Sequence, residues 1–444
     1  MMKQHTHSAA PSQDLSPLAA RFTQARAQML KLAAPLSAED SQAQSMPDAS
    51  PVKWHLAHVT WFFETFILER FEADFTAFNP AFRVLFNSYY NAVGDKHPRA
   101  QRGLLTRPTL EQVKAWRANV DERICALLAQ PHDAAIYELV ELGIQHEQQH
   151  QELLLTDVKH LLSCSALEPA YAKAWPLARV AAVPAQWVEQ ASGLVDIGQV
   201  AQADSFAFDN ESPRHTAYLG AYALMNRLVT HGEWLEFVQS GGYQDSRWWL
   251  SAGWDWVTTQ GITAPLYWQR DGDAASHDGW TNFTLHGRVP IDPHTPIVHI
   301  SYFEADAYAR WKSATDAAWA RARLPTETEW EASAALLEAA YIAAGNFVET
   351  QALHPMPVAK PQTGLMQMMG DVWQWTSSSY SAYPGVAPWD GAVGEYNGKF
   401  MINQYVLRGG SCATPRNHIR ASYRNFFPTD ARWQFTGLRL AKSL

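Results

Sequence analysis

Residues 146–160 of this 444-residue chain read HEQQHQELLLTDVKH. They lie within a longer segment, 133–164, whose leucines recur at helical spacing, and this pattern predicts one long helix. His146 and His150 are four residues apart, so both imidazoles lie on one face of the helix, one turn from each other. Such a pair suits a shared metal ion and indicates a helical domain with a metal site in its core.

Three upstream segments also predict helices, namely 15–34, 51–73 and 108–130. The second begins at Pro51, a favoured first-turn residue. Thr109 and Gln112 form a capping-box pattern at the start of the third. A long connection, 75–107, separates the second helix from the third. Four helices with one such crossover predict a four-helix bundle over residues 15–170, preceded by a disordered N-terminus over 1–14.

The second predicted helix supplies further histidines in the motif WHLAH, which contains His55 and His58. Because they are three residues apart, they cannot both point straight at one buried ion without strain. His58 precedes an apolar stripe that includes Phe62 and Phe66, so we predict it as the third ligand, with His55 next. Three neutral imidazoles leave positions on the ion open, and the residues alone are compatible with either zinc or iron(II).

HEQQH also matches the HExxH pattern of zinc metalloproteases, in which the glutamate is the general base. The following residues, QELLLTD, lack the glycine and histidine of the extended protease motif. Glu168, a possible downstream ligand, falls at the predicted domain boundary rather than on a second helix. Glu147 lies about 100° around the helix from His146. We therefore expect Glu147 to support the ligands rather than to take part in chemistry.

The composition changes after the predicted bundle. Of 24 glycines, 21 follow residue 170, and 16 of 19 tryptophans come from Trp175 onward. Glycine favours turns and is disfavoured inside helices. Residues 185–444 are therefore predicted to form short strands, turns and long loops held by aromatic side chains. The chain therefore divides into a helical first part and a second part of short strands and loops, with the boundary near 165–185.

Bulk composition limits the function classes. Hydrophobic residues make up 47% and charged residues 18%, which is typical of a globular protein. The net charge of 35 − 44 = −9 argues against non-specific binding to nucleic acid or anionic membrane. There is no signal-peptide pattern, no apolar run of about 18 residues and no disulfide framework. We expect a cytoplasmic protein with small-molecule partners.

Motifs of the second part include RLPTETEWEASA (323–334) and GDVWQWTSSSY (370–380). They resemble the formylglycine-generating-enzyme, or sulfatase-modifying-factor, fold, a C-type-lectin-like α+β domain. The histidine-bearing bundle resembles the DinB-like fold. In this order, and with WHLAHVTWFFETF, FNSYYNAVG, HEQQHQELL, EYNGKFM and SYRNFF, the two resemble the sulfoxide synthases of ergothioneine biosynthesis.

The resemblance implies a non-haem iron(II) enzyme whose metal is held by His58, His146 and His150. The implied reaction uses O₂ to join the sulfur of a cysteine-type thiol to C2 of the imidazole of hercynine (Nα-trimethylhistidine), giving the sulfoxide. Holding the reactants on one ion makes the encounter effectively unimolecular.

The same resemblance implies roles for four residues near the metal. Gln149 is expected to contact hercynine, and Asn425 its trimethylammonium end. Tyr380 matches the proton donor of the family, and Tyr383 matches a second tyrosine on the substrate side.

Arg99 and Arg102 match, by spacing, an arginine pair that binds the carboxylates of the thiol partner. Tyr89 and Tyr90 resemble the branch of the family that takes free cysteine. In that branch, these tyrosines are expected to share or take over the role of Tyr380.

The branch that takes γ-glutamylcysteine has an aspartate two residues after the asparagine that matches Asn425, and an arginine four residues further on. Here apolar residues follow Asn425, namely Phe426, Phe427 and Pro428, while Asp430 and Arg432 are displaced. We therefore predict cysteine as the thiol donor and keep γ-glutamylcysteine as the alternative.

Other functions fit less well. Formylglycine-generating chemistry needs a pair of cysteines near the end of the domain, and this domain contains only Cys412. An ovothiol-type sulfoxide synthase usually carries an added methyltransferase domain. A zinc hydrolase would leave the second part of the chain unexplained. A lectin-like binding module would leave the histidines unexplained.

Overall fold

The computed structural model describes residues 17–173, 180–200, 205–270, 279–337, 339–387, 389, 391 and 394–444. The predicted disordered N-terminus lies outside these residues. Within the described chain, no helix is both long enough and apolar enough to cross a membrane.

Seven α-helices are described in the first part: α1 (Pro17–Ala33), α2 (Ala38–Gln42), α3 (Val52–Phe63), α4 (Glu69–Phe71), α5 (Phe82–Leu85), α6 (Leu110–Leu128) and α7 (Ala134–Ser163). A π turn over Glu64–Leu68 joins α3 to α4, so the predicted second helix is continuous through it. The four predicted helices are confirmed, and the ends of α1, α6 and α7 lie within two residues of the predicted limits.

Local sequence explains where these helices begin. Thr109 and Gln112 form the predicted capping box at the start of α6, each side chain bonding the other's backbone N–H. Every residue of α3 is buried, as expected for a helix that is largely apolar on all sides. Helix α3 packs against both α6 and α7, and α1 packs against α7. This packing places the histidines of α3 and α7 face to face.

A buried ion cluster joins three of the four long helices. Glu147 of α7 is fully buried and accepts hydrogen bonds from Arg26 of α1, at 2.8 Å, and from Arg117 of α6. Burial alone would raise the pKa of this carboxyl, but Arg117 and Arg26 hold the pKa below its ordinary value. Glu147 therefore links α7 to α1 and α6.

The second part consists of short elements. Its helices are α8 (His231–Gln239), α9 (Ser251–Gln260), α10 (Tyr302–Thr315), α11 (Glu327–Ala334), α12 (Ala339–Ala343) and α13 (Glu395–Gly398). Its strands are β1 (Trp187–Gln190), β2 (Gly193–Ile197), β3 (His215–Leu219), β4 (Tyr222–Met225), β5 (Trp268–Arg270), β6 (Trp280–Thr284), β7 (Gly287–Pro290), β8 (Trp373–Ser379), β9 (Gln404–Arg408), β10 (Asn425–Pro428), β11 (Thr436–Gly437) and β12 (Ala441–Ser443). The predicted α plus α+β class is confirmed.

The strands form four small sheets, ordered β1-β4-β12, β10-β9-β8-β11, β2-β3 and β5-β6-β7. In the four-stranded sheet, β10 pairs antiparallel with β9, so that Asn425 lies opposite Leu407. Strand β11 pairs parallel with β8 across a separation of about sixty residues in the chain. Long connections between short strands leave loops free to form a pocket wall.

Helix α7 also forms the junction with the second part. The buried carboxylate of Glu152 accepts hydrogen bonds from Trp373 Nε1 (2.8 Å), Ser411 Oγ (2.5 Å) and Thr414 Oγ1 (2.7 Å). One turn from the end of the helix, Lys159 Nζ lies 2.6 Å from His299 Nε2. The histidine-bearing helix is thus enclosed by protein from both parts of the chain.

Candidate metal centre and substrate pocket

Three histidines meet in the core of the bundle. His58 is on α3, whereas His146 and His150 are one turn apart on α7. One ring nitrogen from each lies within 4.8 Å of the other two, and all three residues are buried. The structure therefore brings together the three residues that the sequence predicts as ligands.

The second nitrogen of each ring determines which atom faces a metal. Nδ1 of His58 lies 2.6 Å from the carbonyl oxygen of Phe86, and Nδ1 of His150 lies 2.8 Å from Nδ1 of His55. These bonds leave Nε2 of both rings for a metal ion. Nδ1 of His146 is buried and has no hydrogen-bond partner among the described residues. Metal-binding histidines usually have the other nitrogen held in this way, so this donor set fits a metal site.

Electrostatics favours neutral ligands. Burial lowers the pKa of His146 to about 4. Burial, together with the neighbouring His146, also lowers the pKa of both His58 and His150 well below its ordinary value. All three imidazoles are therefore neutral at pH 7 and keep a lone pair for a cation.

A cavity of about 490 Å³ opens beside the histidines, between the bundle and the second part. Of the predicted site residues, those lining it are His58, Tyr89, Tyr90, Arg99, Arg102, Gln149, His150, Asn425, Phe426 and Phe427. His146 is not in the lining and reaches the cluster from the protein side. The pocket is large enough for two small substrates, and both parts of the chain contribute to its wall.

One side of the pocket carries the two predicted arginines. Arg102 is 4% exposed, lies 3.4 Å above the ring of Trp54 and donates to Ser50 Oγ and Ser88 Oγ, both at 2.9 Å. Burial lowers its pKa to about 9, so it stays charged at neutral pH. Arg99 is exposed, and it donates to the hydroxyl of Tyr89 at 2.6 Å. The two arginines thus offer positive charge at different depths.

Gln149 is held by a short network at the opposite side. Its Nε2 donates to the hydroxyl of Tyr423 at 2.8 Å, and that hydroxyl lies 3.2 Å from Nε2 of His418. Nδ1 of His418 lies 2.6 Å from Oε1 of Gln145, one turn before Gln149 on α7. The network orients the Gln149 amide beside His150, the neighbouring residue.

Tyr380 and Tyr383 lie behind the pocket wall instead of in its lining. The Tyr380 ring stacks on Phe426, with centroids 3.9 Å apart, and its hydroxyl accepts a hydrogen bond from Asn210 at 2.9 Å. The Tyr383 hydroxyl accepts from Arg408 at 2.9 Å. Neither of these two tyrosines is among the residues that line the pocket, whereas Tyr89 and Tyr90 are.

Several lining residues escaped the sequence interpretation. Trp54 stacks on His58, with centroids 4.6 Å apart, and also carries Arg102 on its face. Its position one turn before His58 in the same helix was a usable signal. Gln434 is 2% exposed, and neither polar atom of its side chain has a partner among the described residues. No pattern in the sequence marks Gln434, because its neighbours come from other segments.

Comparison with known proteins gives matches along nearly the whole chain. Residues 21–154 match the DinB superfamily, and residues 180–444 match the sulfatase-modifying factor enzyme 1-like domain. The hercynine oxygenase of Mycolicibacterium thermoresistibile is 33% identical, over 96% of this chain and 94% of that protein. The hercynine oxygenase of Mycobacterium tuberculosis is 32% identical, over 96% and 98%. Ergothioneine biosynthesis protein 1 of Schizosaccharomyces pombe is 25% identical, over 54% of this chain and 28% of its own.

Proposed function

The chain belongs to the family of the hercynine oxygenases, and from this we propose that it is an iron(II)- and O₂-dependent enzyme that joins the sulfur of cysteine to C2 of the hercynine imidazole. The expected product is hercynylcysteine sulfoxide. Family membership makes the chain an oxygenase and a sulfoxide synthase of the ergothioneine pathway. We propose, beyond this family membership, that the metal is iron(II), that the thiol donor is cysteine and that the residues have the roles given below.

The observation that carries the proposal is the buried three-histidine group at the wall of the pocket. His58, His146 and His150 would hold the iron, which supplies the activation of O₂ that an oxygenase needs. Neutral imidazoles leave the ion its full positive charge, which favours a thiolate beside it. The surrounding apolar rings, among them Trp54, Trp61 and Phe62, exclude water from this side of the site.

Hercynine is expected to lie between α7 and the four-stranded sheet. Gln149, held by Tyr423, would bond the imidazole, and this fixes which ring carbon faces the sulfur. Asn425 and the aromatic rings of Phe208 and Tyr423 line the same side. Aromatic faces attract quaternary ammonium groups, so this side suits the trimethylammonium end.

Tyr90 is the best-placed proton donor among the described tyrosines. It lines the pocket and packs on Trp61 with centroids 5.5 Å apart. His58 stacks on the same Trp61, also at 5.5 Å. Tyr90 and a proposed metal ligand therefore share one aromatic neighbour, whereas Tyr380 is not among the residues that line the pocket and stacks on Phe426, which is. We assign proton delivery to Tyr90, with Tyr89 beside it.

Charge counting supports cysteine over γ-glutamylcysteine. Among the residues that the structure describes, the arginines lining the pocket are Arg99, Arg102 and Arg424, and Arg424 is paired with Glu327 through two contacts of 3.0 and 2.9 Å. Two arginines then face one carboxylate of hercynine and one of cysteine. γ-Glutamylcysteine would bring an additional carboxylate, and burying an unpaired charge costs several kcal/mol.

Asp430 and Arg432, the displaced charged pair, do not form a binding site for the additional carboxylate of γ-glutamylcysteine. Asp430 lines the pocket, but the Arg432 guanidinium lies 3.3 Å from Glu304 Oε1 and also donates to the carbonyl of Ala264. Arg432 is therefore engaged away from the pocket. The residues between Asn425 and Asp430 that reach the lining are Phe426, Phe427 and Pro428, which offer no charge.

A competition assay tests the proposal. Enzyme loaded anaerobically with Fe(II) receives hercynine, O₂ and either cysteine or γ-glutamylcysteine, and the sulfoxide products are quantified. A lost polar contact typically changes selectivity by about five- to 150-fold, so we expect cysteine to be preferred at least about tenfold in kcat/KM. Equal use of γ-glutamylcysteine would contradict the thiol assignment. If enzyme with its full iron content formed neither of the two sulfoxides, the proposed reaction itself would be contradicted.

A further inference from the structure

We propose that His55 and Asp157 form a hydrogen-bonded relay that fixes the ring of His150, making both of them positioning residues for the metal centre. The proposal rests on the metal site proposed above and extends it to residues that do not bind the ion. The sequence predicts His55 only as a substitute ligand, and the structure gives it a different set of contacts.

The relay consists of two short contacts between buried groups. Nδ1 of His55 lies 2.8 Å from Nδ1 of His150, and Nε2 of His55 lies 2.9 Å from Oδ2 of Asp157. His55 is 2% exposed and Asp157 is 6% exposed. Such contacts are strong when water cannot compete for them.

The carboxylate at the end of the relay determines where the protons lie. Oδ2 of Asp157 already accepts a hydrogen bond from the backbone N–H of Ser50, so Nε2 of His55 is assigned as a second donor to the same oxygen. With its proton on Nε2, the His55 ring offers Nδ1 as the acceptor towards Nδ1 of His150. His150 must therefore donate from its own Nδ1, and this leaves the lone pair of its Nε2 directed at the metal. The carboxylate of Asp157 thus selects the tautomer of His150 through two successive hydrogen bonds.

Helix geometry explains why a bridging residue is needed. Asp157 follows His150 by seven residues on α7, so the two side chains share a face but are separated by about 10 Å along the axis. An aspartate cannot span that distance. His55 projects from α3 into the gap and contacts both side chains.

The three proposed ligands consequently differ in the hydrogen-bond partner of their Nδ1 atom. His150 is backed by a carboxylate through His55, and His58 by the neutral carbonyl of Phe86. Nδ1 of His146 has no partner among the residues that the structure describes. A negative charge behind a ligand raises its basicity, so His150 is expected to be the strongest donor of the three.

The aspartate is itself fixed from two directions. Its Oδ2 accepts from the backbone N–H of Ser50 at 2.8 Å, and its Oδ1 lies 3.3 Å from Nε1 of Trp433. Trp433 lies in the second part, more than 270 residues away along the chain. Docking of the two parts therefore contributes to the position of a carboxylate that acts on the metal ligand.

Cobalt(II) affinity is the direct test, because it does not depend on turnover. The apoprotein is titrated with Co²⁺ against a competing chelator, and the visible ligand-field spectrum is recorded for each variant. We expect His55→Leu to weaken Co²⁺ binding by about 10- to 100-fold and to shift the spectrum. His55→Gln should restore most of the affinity, because the amide can donate to Asp157 and accept from His150. The double variant His55→Leu/Asp157→Asn should bind no more weakly than His55→Leu, since Asp157 acts through His55.

Two controls separate the possible failures. His160→Leu removes another hydrogen-bonded histidine of α7, whose Nδ1 lies 2.7 Å from Ser45 Oγ, and should leave the affinity unchanged. His146→Ala should abolish binding; if it does not, the metal site is wrong. If His146→Ala abolishes binding while His55→Leu folds and binds Co²⁺ as wild type does, only the relay is overturned. Should His55→Leu fail to fold, Asp157→Asn decides, and its unchanged affinity and spectrum would overturn the relay equally.

Discussion

The histidine-bearing wall of the pocket and the wall opposite to it are built from different kinds of structure. The first consists of α3 and α7, and its three clustered histidines are separated by one helical turn or by one helix–helix contact. The second consists of loops and the short strand β10, whose pocket residues include Asn425 and Phe426. Regular helix spacing places the first set, whereas contacts between distant segments place the second.

Both walls are held by buried ion pairs, but they differ in what sets the spacing of their site residues. Behind the second wall, Glu327 pairs with Arg424 and Arg408 in a buried cluster that also includes Glu331. Glu327 is about 80 to 100 residues from both arginines along the chain. In the helical wall, which Glu147 links to Arg26, backbone periodicity sets the spacing of the histidines, whereas the loop wall has no such regular spacing. We therefore expect changes in the two walls to separate metal binding from substrate chemistry.

The largest expected effect is on the helical wall. Alanine at His58, His146 or His150 should reduce retained iron to below about a tenth of the wild-type content and abolish activity, because each removes a ligand from a three-ligand site. The bundle should still fold, since its core is formed by other residues. Metal analysis after anaerobic purification, with circular dichroism, measures both effects. His97→Ala, in the crossover, is the matched control; full iron in His58→Ala would mean that the third ligand is misassigned.

The next effect compares a pocket-lining tyrosine of the crossover, Tyr90, with Tyr380, which lies outside the lining and stacks on Phe426 of the loop wall. Tyr90→Phe should slow sulfoxide formation by about 10²- to 10⁴-fold with little change in hercynine binding, because it removes a positioned proton donor. Tyr380→Phe should have a smaller effect, since Phe426 covers that ring. Single-turnover rates and the ratio of sulfoxide to oxidised cysteine provide the measurement. The reverse order of effects would move proton delivery to the loop wall.

The smallest effect concerns the seam between the two parts. Lys159 of α7 is 1% exposed, lies between the rings of Tyr267 and Phe435, and contacts His299. Burial lowers its pKa to about 7, whereas an unfolded lysine titrates near its ordinary value of about 10.4. Between these values the folded chain binds fewer protons than the unfolded chain, so this group makes stability rise with pH in that window.

The measurement for Lys159 is a difference between variants. The free energy of unfolding of the wild type, minus that of Lys159→Met, should increase between pH 7 and 10 by up to roughly 1.4 kcal/mol per pH unit. Denaturant unfolding at several pH values tests this, because other titrating groups cancel in the difference. Lys31→Met, which removes an exposed lysine of α1, should give no such slope. Equal slopes for both variants would show that Lys159 does not titrate in this window.

The contrast between the walls also explains how far prediction from the sequence could reach. The bundle helices and their ends followed from apolar periodicity, Pro51 and the Thr109–Gln112 cap, which act within a few residues. The choice of His58 over His55 depended on its position before an apolar stripe, and the structure brings His58 together with His146 and His150. These features depend on local geometry, so each of them can be predicted from a short segment of the sequence.

Other parts of the site could not be anticipated. Family resemblance marked Tyr380 and Tyr383, but the stacking of Phe426 on Tyr380 is visible only in three dimensions. Spacing marked Arg99 and Arg102 as a pair, yet one is exposed and the other is buried on Trp54. Neither difference has a signature in the sequence around these residues.

The sequence by itself determined the α plus α+β architecture, the three histidines that cluster in the bundle and, through its motifs, the oxygenase family. These depend on repeated spacing and on local motifs, in which the interacting residues are close along the chain. Only the tertiary structure decided which tyrosines line the pocket, that Arg432 is engaged by Glu304, and that His55 connects Asp157 to His150. The physical reason is that a side chain's hydrogen-bond partners and burial are set by segments far apart along the chain, which only the packing of the helices and the docking of the two parts bring together.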